Sequence, residues 1–214
     1  MTNSTMVQEQ LEKIAQFVQN QLREQGNKGK VPEPQQTYRW QHTLRVAQYG
    51  HRLAKAEGAN VELVVAGCLL HDIAVFNPGD RKDHGRLGAK ITRPFLRDLG
   101  YSEEETENIC YSVACHVDVQ NPDTIEAKIV TDSDNIDRFG AFRVIFWCIE
   151  DINDYEGLIR KARKRLERLD SYRQQDILET KTGRGLFNKQ LDLQIQFFRA
   201  LIKESDITIL PQID

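Results

Sequence analysis

Apolar residues recur along the chain at i, i+3 and i+4, and almost nowhere alternate with a period of two. Near the N-terminus, Leu11, Ile14, Ala15, Val18 and Leu22 form one such stripe. It predicts a helix over about 5–25 that stops in Gly26-Asn27-Lys28-Gly29-Lys30. Pro32 and Pro34 predict an extended stretch, so 26–36 reads as a linker inside one domain. A second helix is expected over about 37–58, with Leu44, Ala47, Leu53 and Ala54 on its apolar face. Asn60 can cap a third over about 61–72, apolar nearly all round and therefore expected at the centre of the core. After a loop at 77–80, a fourth helix covers about 84–99, and Pro94 inside it is expected to kink or split it. Ser102 with Glu105 forms a capping box that opens a fifth helix reaching about residue 116. A turn at 121–123 leads to a sixth over about 124–139. The run 144–149 has a strand-like composition but reads as buried helix. Helical spacing returns over 158–169 and 186–203. The pattern therefore predicts an all-α fold, one domain of roughly six to nine helices, with C-terminal helices in about 154–206.

Composition narrows the class. The chain has 214 residues, 40% hydrophobic and 29% charged, and lacks any run of about eighteen apolar residues, so no spanning helix is expected. Its first residues do not show a basic segment followed by an apolar one, so no secretory signal is expected there. The net charge of −3 argues against a protein built chiefly to bind nucleic acid. Four cysteines are too few for a disulfide scaffold. Cys68 and Cys148 lie in apolar runs and read as small buried hydrophobes, which points to a reducing, cytoplasmic compartment.

The chemistry concentrates in four of five histidines. His42 lies near the start of the second helix and His71-Asp72 ends the most apolar one. His84 opens the fourth helix and His116 closes the fifth. Asp132, Asp134 and Asp137 interrupt an otherwise apolar sixth helix. Each histidine alone reads better as a structural or solvated residue. The pair His71-Asp72 does not, because burying an ionisable pair after Leu69-Leu70 is costly unless something compensates it. A metal ion is the most economical compensation and a hydrogen-bonded pair at the helix end is the alternative; mixed nitrogen and oxygen donors suit iron, manganese, zinc, cobalt or nickel.

These words, in order, resemble the HD superfamily of metal-dependent phosphohydrolases, above all its small stand-alone bacterial members, over about 38–150. His42-Thr43-Leu44-Arg45-Val46 is similar to its first-histidine helix, and Ala66-Gly67-Cys68-Leu69-Leu70-His71-Asp72-Ile73 to its central doublet. Asp83-His84-Gly85-Arg86 and Cys115-His116 resemble the additional histidine segments. Thr131-Asp132-Ser133-Asp134 resembles the closing segment, with Ser133 where alanine is usual.

The resemblance implies a first divalent metal on His42, His71, Asp72 and Asp134, and a second on His84 and His116 with Asp72 bridging. In single-metal members the histidines equivalent to His84 and His116 face the substrate phosphate instead. The implied reaction is hydrolysis of a phosphomonoester or phosphoanhydride, with a nucleotide among the candidate substrates, by a water that the metal activates. Asp72 is then ligand and helper in deprotonating that water. Asp137 reads equally as a group orienting a histidine and as a surface salt bridge. Arg45 is expected to pair with Asp72 or Asp134, to contact phosphate, or to form an ordinary ion pair. Asp132 should point off the metal face. Two rival readings share the resemblance: a two-iron oxygenase, and a nucleotide-sensing module without turnover.

Other features are weaker. Arg81, Lys82 and Arg86 flank His84 and could meet an anionic substrate. Arg160-Lys161-Ala162-Arg163-Lys164-Arg165 is the basic face of an amphipathic helix, with solvation its plain reading. Thr180-Lys181-Thr182-Gly183-Arg184-Gly185 lacks phosphate-loop spacing and reads as a connector between helices. His51 matches none of the family's segments and reads as structural or exposed.

Overall fold

Asn60 begins the most apolar helix as its spacing predicts: its side chain accepts from the Glu62 and Leu63 backbone N–H groups at 3.0 and 3.3 Å. A computed structural model describes residues 3–77, 83–149 and 154–207. Among these, all regular structure is α-helical: α1 Asn3–Lys28, α2 Glu33–Glu57, α3 Val61–Leu70, α4 His84–Asp98, α5 Glu103–Cys115, α6 Ile125–Arg138, α7 Ala141–Ile149, α8 Tyr155–Tyr172 and α9 Lys181–Ser205. The chain divides into two compact units, the first formed by Met1–Asp137 with Leu178–Gly183, the second by Arg138–Ile177 with Arg184–Asp214.

In the first unit α3 is central, packed by α1, α2 and α5, while α4 lies on α5. Residues 66–70 are all buried, together with Ile14 and Val18 of α1, Val46 and Leu53 of α2, Ile109 of α5 and Ile129 of α6. Burying side chains of this size stabilises by roughly 1.5–3 kcal/mol each, which makes α3 the anchor of this core. The crossing of α2 on α3 depends on Gly50, where a Cβ would collide with the Cys68 sulfur. Helix α2 ends at Gly58, whose left-handed φ of 73° lets its N–H reach the Ala54 carbonyl. The predicted capping box is present at α5, Ser102 and Glu105 each accepting the other's backbone N–H.

Several boundaries differ from the expected ones. Helix α2 starts at Glu33, because Pro34 falls in its first turn, where a missing N–H breaks no bond. Helix α3 ends at Leu70, and residues 71–76 continue as turns. Pro94 does not split α4, which runs unbroken through it. The expected loop at 77–80 lies, past Asn77, outside the described residues. The stretch from Thr180 is not a connector: α9 begins at Lys181, and the Thr180 hydroxyl accepts from the Gly183 N–H at 3.0 Å. Asp132 holds that helix start, accepting from the Glu179 and Thr180 N–H groups at 2.8 Å each and from the Thr180 hydroxyl at 2.7 Å.

In the second unit, Phe139 is buried against Phe187 and Tyr172, with ring centroids 4.6 and 5.1 Å away. Leu169, Leu191, Ile195 and Phe198 complete the core there. The run 144–149 is helical as predicted but not uniformly buried: Val144 is buried, whereas Ile145 is 58% exposed.

Candidate metal centre

Five helices of the first unit, α2 to α6, carry the singled-out residues and bring most of them within a few ångströms. His42 projects from α2, His71-Asp72 from the turn that closes α3, His84 from the first residue of α4, His116 from the cap of α5 and Asp134 from α6. The apolar face that buries each helix thus also fixes an imidazole or carboxylate, at the helix end for His71, His84 and His116 and inside the helix for His42 and Asp134.

Asp72 divides the cluster. Its Oδ2 lies 3.3 Å from His71 Nε2 and 3.5 Å from His42 Nε2, and Asp134 Oδ1 lies 3.3 Å from the same His42 nitrogen. Its Oδ1 faces the other way, 3.0 Å from His84 Nε2 and 3.7 Å from His116 Nε2. The nitrogens pair in the same fashion, His42 with His71 at 3.2 Å and His84 with His116 at 3.1 Å.

The outer ring nitrogens decide what the inner ones can do. His71 Nδ1 donates to the Cys68 carbonyl and His116 Nδ1 to the Val113 carbonyl, both at 2.7 Å. In a neutral imidazole this leaves Nε2 as a lone pair. His42 Nδ1 is held by Asp137 Oδ2 at 2.6 Å, so its Nε2 also points inward as an acceptor. Lone pairs facing one another at hydrogen-bond distance need a proton or a cation between them. The donor set therefore fits a metal ion, and outer bonds of this kind are the ones that orient histidine ligands. Two groups meet metal-ligand spacing, His42 with His71 and Asp134, and His71 with Asp72 and His116.

Burial alone would raise the Asp72 carboxyl, but Arg39 and the surrounding histidines hold it well below the usual carboxylate range. His42 is buried, yet hydrogen bonds to the Asp134, Asp137 and Asp72 carboxylates raise it well above its ordinary value. His116 goes the other way, lowered by burial and by His71 beside it. Asp137, buried, stays ionised through His42 and Arg45.

Arg45 does not meet Asp72 or Asp134. It forks onto Asp137, Nε to Oδ1 at 2.6 Å and Nη2 to Oδ2 at 3.1 Å, so Asp137 is an interior link between Arg45 and His42 and no surface pair. The guanidinium on Asp72 belongs to Arg39, whose Nη1 donates to Oδ2. Sequence reasoning passed over Arg39, although it stands three residues before His42 as Arg45 stands three after, and both positions share its helix face. Asp132 is off the cluster as expected, but it is fully buried, and burial lifts its carboxyl to about 6 against the bonds at the start of α9. Arg86 pairs with Asp118 at 3.1 Å, and His51 is exposed. Arg81 and Lys82 lie outside the described residues.

The family model of the HD domain matches residues 39–138. The chain carries an HD domain. That span of the HD domain includes every member of the cluster from Arg39 to Asp137. Solved structures share the fold over most of the chain. A hydrolase of the HD superfamily from Bacillus thuringiensis is 22% identical, with 94% of this chain and 100% of the other covered at a TM-score of 0.67. YpgQ of Bacillus subtilis, solved in complex with ADP, is 21% identical over 93% of this chain and 96% of its own, at 0.64. A predicted HD superfamily hydrolase from an uncultured Thermotogales bacterium is 20% identical over 88% and 91%, at 0.62. No helix among the described residues is long and apolar enough to cross a membrane.

Proposed function

We propose that this HD-domain chain is a metal-dependent hydrolase of a phosphomonoester or phosphoanhydride, with nucleotides the leading substrate class. The observation that carries the reading is the division of Asp72, one oxygen toward His42 and His71 and the other toward His84 and His116. That division suits two ions sharing one carboxylate, with Asp134 completing the first set. Iron, manganese, zinc, cobalt and nickel fit these donors better than magnesium or calcium. A divalent ion held there supplies a water of lowered pKa and a counter-charge for phosphate oxygens.

The chain's own residues do the positioning. Asp137, clamped by Arg45, fixes the ring of His42. The carbonyls of Cys68 and Val113 fix His71 and His116. Arg39 keeps the Asp72 carboxyl ionised, the form in which each of its oxygens can face a cation. The complex of YpgQ with ADP supports a nucleotide as substrate here. Three buried thiols, Cys68, Cys110 and Cys115, suit a reducing cytoplasm.

Elemental analysis tests the reading, on the full chain purified without chelator beside Asp72→Ala and His84→Ala. Two ions per chain are expected in the wild type, one in His84→Ala and none in Asp72→Ala, with helical circular dichroism preserved. Release of phosphate or pyrophosphate from a nucleotide panel should disappear with Asp72→Ala. Unchanged metal content in that variant refutes the ligand set. Substrate-dependent oxygen uptake without phosphate release would transfer the site to the oxygenase reading.

A further inference from the structure

The second compact unit holds a concentration of positive charge that the metal centre does not use. Lys164, Arg165 and Arg168 of α8 lie within one turn of each other and, with Arg143 of α7, line a cavity of about 370 Å³ floored by the rings of Phe139 and Tyr172. No carboxylate lines it among the described residues. Its size is at the low end for small-molecule sites.

The partners of these cations are neutral. Arg165 is half-buried; its guanidinium sits 5.0 Å from the centre of the Phe139 ring and donates to Gln194 Oε1 at 3.0 Å. Arg168 donates to the Tyr172 hydroxyl at 3.4 Å. Neither Arg143 nor Lys164 forms an ion pair among the described residues. Other arginines of the same unit do face carboxylates: Arg163 meets Asp206 at 2.5 Å, Arg184 meets Asp176 at 2.6 Å and Arg199 meets Asp170 at 3.4 Å. Burial and the adjacent Arg168 and Arg143 depress the pKa of Arg165. Like charges gathered around a partly dehydrated guanidinium repel one another, and a bound anion removes that penalty.

We propose that this cavity binds a small oligophosphate, two or three linked phosphates, through Arg143, Lys164, Arg165 and Arg168. Several spaced cations match a chain of phosphates better than a single carboxylate, and guanidinium forks fit phosphate oxygens in bidentate fashion. Phe139 offers no open face for a base, being buried under Arg165, Tyr172 and Phe187, so recognition rests on the phosphates. None of the lining residues belongs to the metal centre, so this inference stands or falls apart from the proposed hydrolase activity.

Calorimetric titration of the full chain with inorganic triphosphate tests it, as purified and again in EDTA so that no metal mediates contact. One-to-one binding that survives EDTA and weakens with added salt is expected. In Arg143→Gln/Arg168→Gln, which removes two exposed cations, affinity should fall by about tenfold or more. The melting temperature should hold or rise, because repulsion is relieved. If that variant melts early, Lys164→Gln alone carries the comparison, with a loss of about threefold expected. Lys13→Gln/Lys55→Gln, exposed and outside the cavity, should bind as the wild type does. No binding by the wild type overturns the proposal. So does an equal loss in the lysine control, which would mean diffuse attraction only. Binding that vanishes in EDTA or in Asp72→Ala overturns it too, as does a single-stranded oligonucleotide binding more tightly than triphosphate.

Discussion

Asp137 shows how a residue outside a ligand set can govern it. Its carboxylate accepts from His42 and from Arg45 and is buried, so His42 is held in one tautomer and one ring orientation. Replacing it by asparagine keeps the volume but weakens that hold. In Asp137→Asn, affinity for the metal bound through His42 should fall by about 10–100-fold, as read by competition with a chromophoric chelator. Cys68 makes a second case. Burial pushes its thiol up to about 12, and only the thiolate reacts. A thiol reagent at pH 8 should therefore leave Cys68 unlabelled in the native protein and label it once the chain is unfolded. The gathering of His42, His71, Asp72, His84, His116 and Asp134 was legible in the sequence as words in a fixed order. Arg39 and the true partner of Arg45 were not, because helix periodicity says which face a side chain shares but not which of several acids on another helix it will reach.

At the scale of the element, capping chemistry was the most readable signal. Ser102 with Glu105 and Asn60 before Val61 each announced a helix start that the structure keeps. Asn60→Ala should cost about 1 kcal/mol, since two backbone N–H groups at the start of α3 lose their acceptor. A lower midpoint in urea with an unchanged slope would register that loss. The misread elements have a common physical origin. Pro34 and Thr180 open helices rather than precede or link them, and in both cases the deciding partner is remote or absent: proline needs no donor, and Thr180 is fixed by Asp132, far away in sequence. A spacing rule confined to neighbours does not contain Asp132. Ile145 was misplaced for a related reason, because hydrophobicity along a helix does not say which side has a neighbour to pack against.

For the whole molecule, an all-α class followed from the period alone, and the HD domain, residues 39–138, from five short segments between the second helix and the sixth. The division into two compact units did not, since no change in composition marks residues 138 or 184. Whatever ion the centre takes couples to folding, because the unfolded chain does not assemble donors from α2, α4, α5 and α6. Manganese or zinc at a hundred times its dissociation constant should raise stability by about 2.7 kcal/mol, visible as a higher melting temperature that EDTA reverses.

The histidines are unequally sheltered. The side chains of His42, His71 and His116 are 2%, 0% and 3% exposed, while that of His84 is 18% exposed. With two ions bound, the one beside His84 would be the nearer to solvent, and the one between His42 and His71 would be the later to leave. Stopped-flow removal of metal by a chelator should accordingly run in two phases of equal amplitude, the faster one absent in His84→Ala. The protein would then spend part of its life half-loaded, with its occupancy set by how much metal the surroundings can spare.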